Sequence, residues 1–506
     1  MKTLTNKIGI FLCLILFTLM SFSNLFTANV KVAKADSGAK EITVFSWEDY
    51  IDEGYDSADD ASEYLNSLFS AKELESSILD IFEEQTGIKV NYQTFATCEE
   101  MYNELIKNPN ACDLLCPSEY MILQMKRENL IKPYKIPQNY KDYASPYIKS
   151  VFDDLGLNVQ GGDSAYATGF MWGTMGLLYN ASKIDAEELA TWTNLYDLKF
   201  ANKITIKDSL RDTYIMAIAI VYEDELYELK DSYESGDITK TEYKLALTEI
   251  FNRTDEKTVN EVQNALIKLK SNLYSFEVDA GKNDILTGKI DINFAWSGDA
   301  AYAIYEGEEA GVELGYVVPE TGSNLWFDGW VMANNADVES SLEFLNFIAD
   351  PQIAIRNMEY IGYTSCIGGD EVFAYVQDAY DDDGENQVDL SYFFDPEGLS
   401  GNSYIINTSV MGGQLYAQYA DEETIARCVV MQEFKKEDLI RINEMWYKVK
   451  LITWPVEVIW AIVIVVAILI VGVVLYKYRN KIFSKIKIKE KENKNGLVEI
   501  SRKEIK

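Results

Sequence analysis

Histidine is absent from all 506 residues. That removes the commonest general base and metal ligand, so Ser-His-Asp or Cys-His catalysis and His-ligated zinc are excluded. Proline is scarce, with 9 residues, and the six cysteines include one, Cys13, within an N-terminal apolar run. The remaining five (Cys98, Cys112, Cys116, Cys366 and Cys428) are an odd number, so they do not make up a complete disulfide framework. Cys112 and Cys116, four apart on an apparent strand, share a face but are too distant to bond without distortion. Most of these thiols read as small buried hydrophobes.

Charge is unevenly distributed along the chain. The first 35 residues carry four Lys and no acid, and residues 477–506 carry 11 Lys and Arg against four Glu. The chain between them therefore holds −46 of charge behind the overall −35. Such a surface repels nucleic acid and anionic lipid and attracts cations; without a specific site it serves solubility alone.

Two hydrophobic runs stand out. "IGIFLCLILFTLMSF" follows Lys2 and Lys7 and precedes "AKA", the layout of a signal peptide over 1–35 cut after Ala35, with retention as an N-terminal anchor the alternative. Val458 to Tyr476 is 19 residues without a charge, enough to span a bilayer as a helix. Trp454, Trp460, Tyr476 and Tyr478 border it as interfacial aromatics, and the basic block that follows places the tail 477–506 in the cytoplasm and the rest outside. A transmembrane helix is thus predicted over 456–476.

Between these ends, strand and helix patterns alternate. "EITVFSW", "IKVNYQTF" and "CDLLCPS" read as strands; "SAKELESSILDIFEEQTG", "CEEMYNELIKN" and "EYMILQMKRENLI" read as helices. This rhythm predicts an α/β fold with a mostly parallel sheet covered by helices. Further on, "ATGFMWGTMGLLYN" is a strand with glycines where backbones approach closely, and a helix capped by Asp208 or Ser209 follows "KITIK". "YDDDGENQVD" at 380–389 resembles part of a calcium loop, but the bidentate Glu is missing, so a solvated acidic loop is expected.

Strand ends repeat one chemistry. "FSWEDY" delivers Trp47, Asp49 and Tyr50; "CPSEY" delivers Ser118 and Tyr120; "FAWSGD" delivers Trp296 and Asp299; "NLWFDGW" delivers Trp326 and Asp328; and "YIGYTS" delivers Tyr363. Ligands of parallel α/β sheets bind beyond the carboxyl ends of strands. Ring faces with carboxylates between them suit an organic cation. Any one strand-end Trp is as readily core packing, and any one Asp a helix cap; it is the repetition that points to a site. Nothing identifies a catalytic acid–base pair, a metal site or a cofactor.

The motifs "VFSWEDYID", "CDLLCPSEYMILQM", "MWGTMGLLYN", "ITIKDSLRDTYIMAIA", "FAWSGDAAY", "NLWFDGWVM" and "EYIGYTS" resemble, in order, those of bacterial spermidine/putrescine-binding proteins, the periplasmic-type (type II) substrate-binding components of polyamine ABC transporters. The resemblance covers most of 41–447. It implies a two-lobed clamp with hinge-crossing strands: lobe 1 over 41–168 and 327–370, lobe 2 over 169–326 and 371–447. It implies Trp47 and Tyr50 as aromatic walls with Asp49 near an ammonium, Ser118 and Tyr120 as a second strand-end contact, and Asp212 as a charge partner. It further implies Trp296 and Trp326 sandwiching the alkyl stem, Asp328 pairing an ammonium, Tyr363 as another ring, and Gln432 as a polar contact. Ser209 stands where some relatives carry an additional acid, which bears on the preference between putrescine and spermidine. Residues 53–75 and 222–256 look inserted, and the C-terminal membrane helix takes the place of a lipid anchor. The function implied is a membrane-anchored, extracellular, non-enzymatic polyamine receptor that delivers to a permease and ATPase. A receptor or sensor for another small organic cation is the alternative.

Overall fold

The computed structural model describes residues 40–451 and, beyond them, Ile464, Leu469, Val471, Val473, Tyr476 and Lys477, which are helical and exposed. The expected signal peptide (1–35), nearly all of the expected membrane helix (456–476) and the tail after Lys477 lie outside the described residues. Among the described residues, no helix is long and apolar enough to cross a membrane. The chain divides into two compact units. One runs as far as Gly173 and resumes over Trp326–Met411; the other comprises Thr174–Leu325 and the chain from Gly412.

In the first unit, the strand Lys40–Trp47 pairs in parallel with Ile88–Phe95, in register from Lys40↔Ile88 to Trp47↔Phe95. On its other side it pairs in parallel with Leu114–Leu115. That strand is shorter than "CDLLCPS" suggests, but the ladder extends past it: Asp113 donates to the Thr43 carbonyl (2.8 Å) and Cys116 to that of Phe45 (2.9 Å). Leu325–Ala333 pairs antiparallel with Leu114–Leu115, and the sheet is therefore mixed. All nine residues of Leu325–Ala333 are buried, the pattern of a strand covered on both faces.

The helix expected over 70–87 is interrupted. It forms as Ala71–Leu74 and Ile78–Thr86, each begun by a serine cap, Ser70 and Ser77, and the second ends on Gly87 in the left-handed region (φ 70°). The break has a cause. Arg356, fully buried, donates to the carbonyls of Glu73 (2.7 Å), Leu74 (3.2 Å) and Ser76 (2.6 Å), and the Leu74 carbonyl also takes the Tyr55 N–H (2.9 Å), which holds the chain in the turn between the two helices. The same guanidinium pairs with the buried carboxylate of Asp52, whose backbone N–H is held by Asn357 (2.8 Å). One turn on, Glu359 receives the N–H (2.8 Å) and hydroxyl (2.6 Å) of Ser62. Segment 53–75 is thus clasped to the helix Pro351–Ile361.

The second unit carries its own sheet. Ile204–Lys207 pairs in parallel with Leu273–Glu277 and with Ile292–Trp296, while Ile292–Trp296 runs antiparallel to residues 175–179 of the long strand Ala167–Asn180. All 14 residues of that strand are buried. Its glycines answer to close approach: a Cβ on Gly176 would lie 2.6 Å from the Val317 carbonyl oxygen and 2.7 Å from the Tyr316 ring. Residues 222–256 contribute the helices Glu223–Glu234 and Lys240–Phe251, joined by a stacked Tyr233–Tyr243 pair (4.6 Å). Arg253 holds Glu225 through two bonds (2.6 and 2.7 Å).

Cys98, Cys112, Cys116, Cys366 and Cys428 are free and buried. Residues 386–389 form a strand against Ile405–Thr408, and the acidic loop before it is exposed, with Asp382 accepting from the Ser409 backbone (2.8 Å).

Replacing Arg356 by Met leaves Asp52 as a buried, uncompensated charge. Denaturant unfolding followed by tryptophan fluorescence is expected to show a loss of about 3–5 kcal/mol, against under about 1 kcal/mol for an exposed pair such as Lys72–Glu84.

Candidate functional site

The first unit builds its cluster around Asp328. The strand Leu325–Ala333 delivers this carboxylate opposite Ser118, with which it makes an isolated antiparallel bridge. Its two oxygens accept from two hydroxyls, Tyr50 Oη (2.6 Å) and Ser118 Oγ (2.7 Å). Burial, and then the adjacent Asp328, push the Tyr50 phenol well above its ordinary range, so it remains a neutral donor. The strand's path beside Asp328 is fixed by Glu119, a wholly buried carboxylate whose Oε2 accepts the Phe327 N–H (3.0 Å). Gly329 donates to the Pro117 carbonyl (3.1 Å).

Rings surround this carboxylate. Tyr50 stands edge-on to Phe170 (5.5 Å) and Tyr363 (5.2 Å), and Trp326 leans on Tyr363 at 5.7 Å. Trp47, half-buried, tilts against Phe95 (4.6 Å), and its indole N–H is buried without a hydrogen-bond partner. Three thiols share the neighbourhood: burial first raises those of Cys98, Cys116 and Cys366 far above the usual thiol range, followed by Asp328 for Cys116 and Cys366 and by Glu99 ahead of Asp328 for Cys98.

Five of the eight sequence-predicted residues in this unit form one connected group: Tyr50, Ser118, Trp326, Asp328 and Tyr363. The others stand apart in their contacts. Asp49 is exposed on the turn after the strand, at φ 50°, in the left-handed region that Asp tolerates better than most residues. Tyr120 is half-buried and donates to Glu99 (3.3 Å). Trp47 keeps to Phe95.

The second unit builds around Asp212. Ser209 caps the helix Leu210–Val221 by accepting the Asp212 N–H (3.4 Å), which puts the Asp212 side chain in the first turn. Burial pushes this carboxyl up to about 6, against the pull of Ser209, Lys207, Arg211 and the Trp296 indole. Ser209, Asp212 and Trp296 are therefore one group. Gln432 joins it through its backbone alone: its carbonyl accepts from Arg211, its N–H donates to Asn252 (2.8 Å), and the residue is exposed. Arg211 lies over Phe434, 3.9 Å from the ring centre.

Sequence reasoning passed over Lys207, Glu277 and Arg211 as functional residues, and left Asp299 without a role. Lys207 ends the strand Ile204–Lys207 and is 1% exposed; its ammonium binds Asp299 (2.9 Å) and Glu277 (3.3 Å) and lies 4.1 Å from the centre of the Trp296 ring. Although burial opposes the charged form, the two carboxylates hold the ammonium above its ordinary range. The signal was present in "ITIK": a lysine closing an apolar strand that points into the sheet's own carboxyl end.

Strand ends that deliver hydroxyl-bound carboxylates among aromatic rings define a protein built to hold a small solute. The chain belongs to the bacterial extracellular solute-binding proteins, whose family profile matches residues 77–383. It is 27% identical over 290 residues to the spermidine/putrescine-binding periplasmic protein of Salmonella typhimurium, spanning 56% of this chain and 72% of that one. It is 23% identical over 301 residues to a putrescine-binding periplasmic protein of Escherichia coli, with the same shares covered. The fold matches that of a spermidine/putrescine ABC transporter substrate-binding protein from Streptococcus pneumoniae, with a TM-score of 0.52 and 23% identity over 81% of this chain and 98% of that one.

Because Asp212 titrates near 6 in the folded chain and near 3.8 when unfolded, folding takes up a proton between those values. That stabilisation is complete below about pH 4 and is lost as the pH rises through about 6. Asp212→Asn is therefore expected to gain on the wild type by up to roughly 3 kcal/mol between about pH 4 and pH 7, measured by urea unfolding at both.

Proposed function

We propose that this chain is the substrate-binding component of a polyamine importer, capturing putrescine or spermidine outside the cell and delivering it to an ABC permease and ATPase. The observation that carries this reading is Asp328: a buried carboxylate held by two hydroxyls and ringed by Tyr50, Tyr363 and Trp326. Neutral donors fix the carboxylate's position, an ammonium pairs well with a carboxylate, and ring faces favour both the charge and its methylene stem. Within the second unit, Asp212, with Ser209 and Trp296, offers a carboxylate suited to an amine. The names of the relatives, and the −46 charge between the chain's basic ends, support the same ligand class.

In this reading Trp47, Asp49 and Tyr120 add contacts within the first unit and Gln432 within the second. No covalent step is proposed. The span 456–476, with its uncharged run Val458 to Tyr476, anchors the binding units to the cell membrane on the extracellular face, and the tail 477–506 is cytoplasmic; the Trp and Tyr borders and the basic block support this.

Two experiments test the reading. In a thermal-shift screen of the full-length chain against putrescine, spermidine, choline and glutamate, only the two polyamines are expected to raise the melting temperature. Asp328→Asn should cost about 1.5–3 kcal/mol of binding, roughly ten- to a hundredfold, with unchanged circular dichroism. A polyamine response that survives Asp328→Asn together with Trp296→Ala would remove the site assignment. Affinity should also fall as the pH drops below about 6, since a cation at Asp212 displaces its proton.

A further inference from the structure

The second unit already holds a cation where a ligand amine is expected. Lys207 Nζ lies 4.1 Å from the Trp296 ring centre, on its face, bonded to Asp299 (2.9 Å) and the Val278 carbonyl (2.7 Å) and paired with Glu277 (3.3 Å). The placement is built, not incidental. The Lys207 carbonyl accepts the Thr213 hydroxyl (2.7 Å), tying the strand end to the helix that bears Asp212. Glu277 is fixed from three sides, by the Gly281 N–H (2.9 Å), Asn293 Nδ2 (2.9 Å) and Lys207 itself. Asn293 in turn is pinned on Thr205 (2.9 Å). Asp299 sits in the first turn of the helix that begins directly after Trp296, so ring and carboxylate reach the ammonium from adjacent positions in the chain.

Charge follows from this placement. Three buried carboxylates, Asp212, Glu277 and Asp299, face two buried cations, Lys207 and Arg211, with Lys282 a further 3.9 Å contact to Asp299. One face of Trp296 has its quadrupole engaged by the resident ammonium. A ligand amine that approached that face would meet a like charge in a poorly screened setting, where repulsion is many times stronger than in water. We infer that Lys207 is a specificity-determining residue: a protein-borne ammonium that stands in for one amine of the ligand and so selects diamines over triamines. This rests on the polyamine reading above.

Isothermal titration of the full-length chain with putrescine and with spermidine tests it. The wild type is expected to bind putrescine more tightly. Lys207→Met, which frees the ring face and leaves Glu277 and Asp299 to a ligand, should raise the spermidine-to-putrescine affinity ratio by about tenfold or more. Glu277→Gln, which keeps the lysine anchored on Asp299 but removes one balancing charge, should move the ratio the other way. It also carries the test if Lys207→Met does not fold. A purely structural role for Lys207 predicts equal losses for both amines. Both amines binding with a ratio that neither variant moves would overturn the inference alone. Neither amine binding the wild type would overturn the polyamine reading and this inference with it.

Discussion

Taking a carboxylate out of water is costly unless donors replace its hydration, and the folded chain meets that constraint repeatedly. Asp328 is met by two hydroxyls, Glu119 by a backbone N–H, Asp52 by a guanidinium and an interior turn, and Glu277 and Asp299 by a shared lysine. The kind of donor decides what each group can do. A guanidinium or ammonium neutralises its carboxylate and makes it a strut. A phenol and a serine hydroxyl orient the carboxylate without bringing a charge of their own. That distinction separates Asp328 from Asp52, although both are buried in the same unit.

Much of the architecture was legible. Alternating strands and helices from Ile42 onward predicted the α/β arrangement, and the structure pairs Lys40–Trp47 in parallel with Ile88–Phe95 and Leu114–Leu115. Ser209 is the helix cap, one of the two residues the pattern allowed. The helix expected over 70–87 is broken because local periodicity cannot register an arginine 280 positions away that binds three carbonyls at the break. The antiparallel pairing of Leu325–Ala333 is likewise a long-range event with no local signature.

The site was legible in kind more than in detail. Motifs at strand ends picked out Tyr50, Ser118, Asp328, Trp326 and Tyr363, which the fold draws into one group. Asp49 looked equivalent to Asp328 on the page, but a turn with positive φ turns it to solvent. Lys207 was passed over for the opposite reason. Lysines are read as surface residues, and only the tertiary fold brings Glu277 and Asp299 together to bury this one. In both cases, residue type was a weaker guide than which partners the backbone supplied.

Arg356 grips segment 53–75 by the carbonyls of Glu73, Leu74 and Ser76, never by their side chains. Every residue type offers a carbonyl, so this part of the grip does not depend on which side chains stand at those three positions; the guanidinium also lies over the Phe69 ring (5.5 Å), and Leu65 is buried beneath the segment. Its route across the surface is fixed while its exposed lettering is open to drift. Sequence change should therefore accumulate freely over that segment's outer face. It should be resisted at Asp52, Gly54, Ser62, Arg356 and Glu359, where the anchorage depends on particular groups or, at Gly54 (φ 94°, with the Glu75 carbonyl 2.8 Å from any added Cβ), on having no side chain at all.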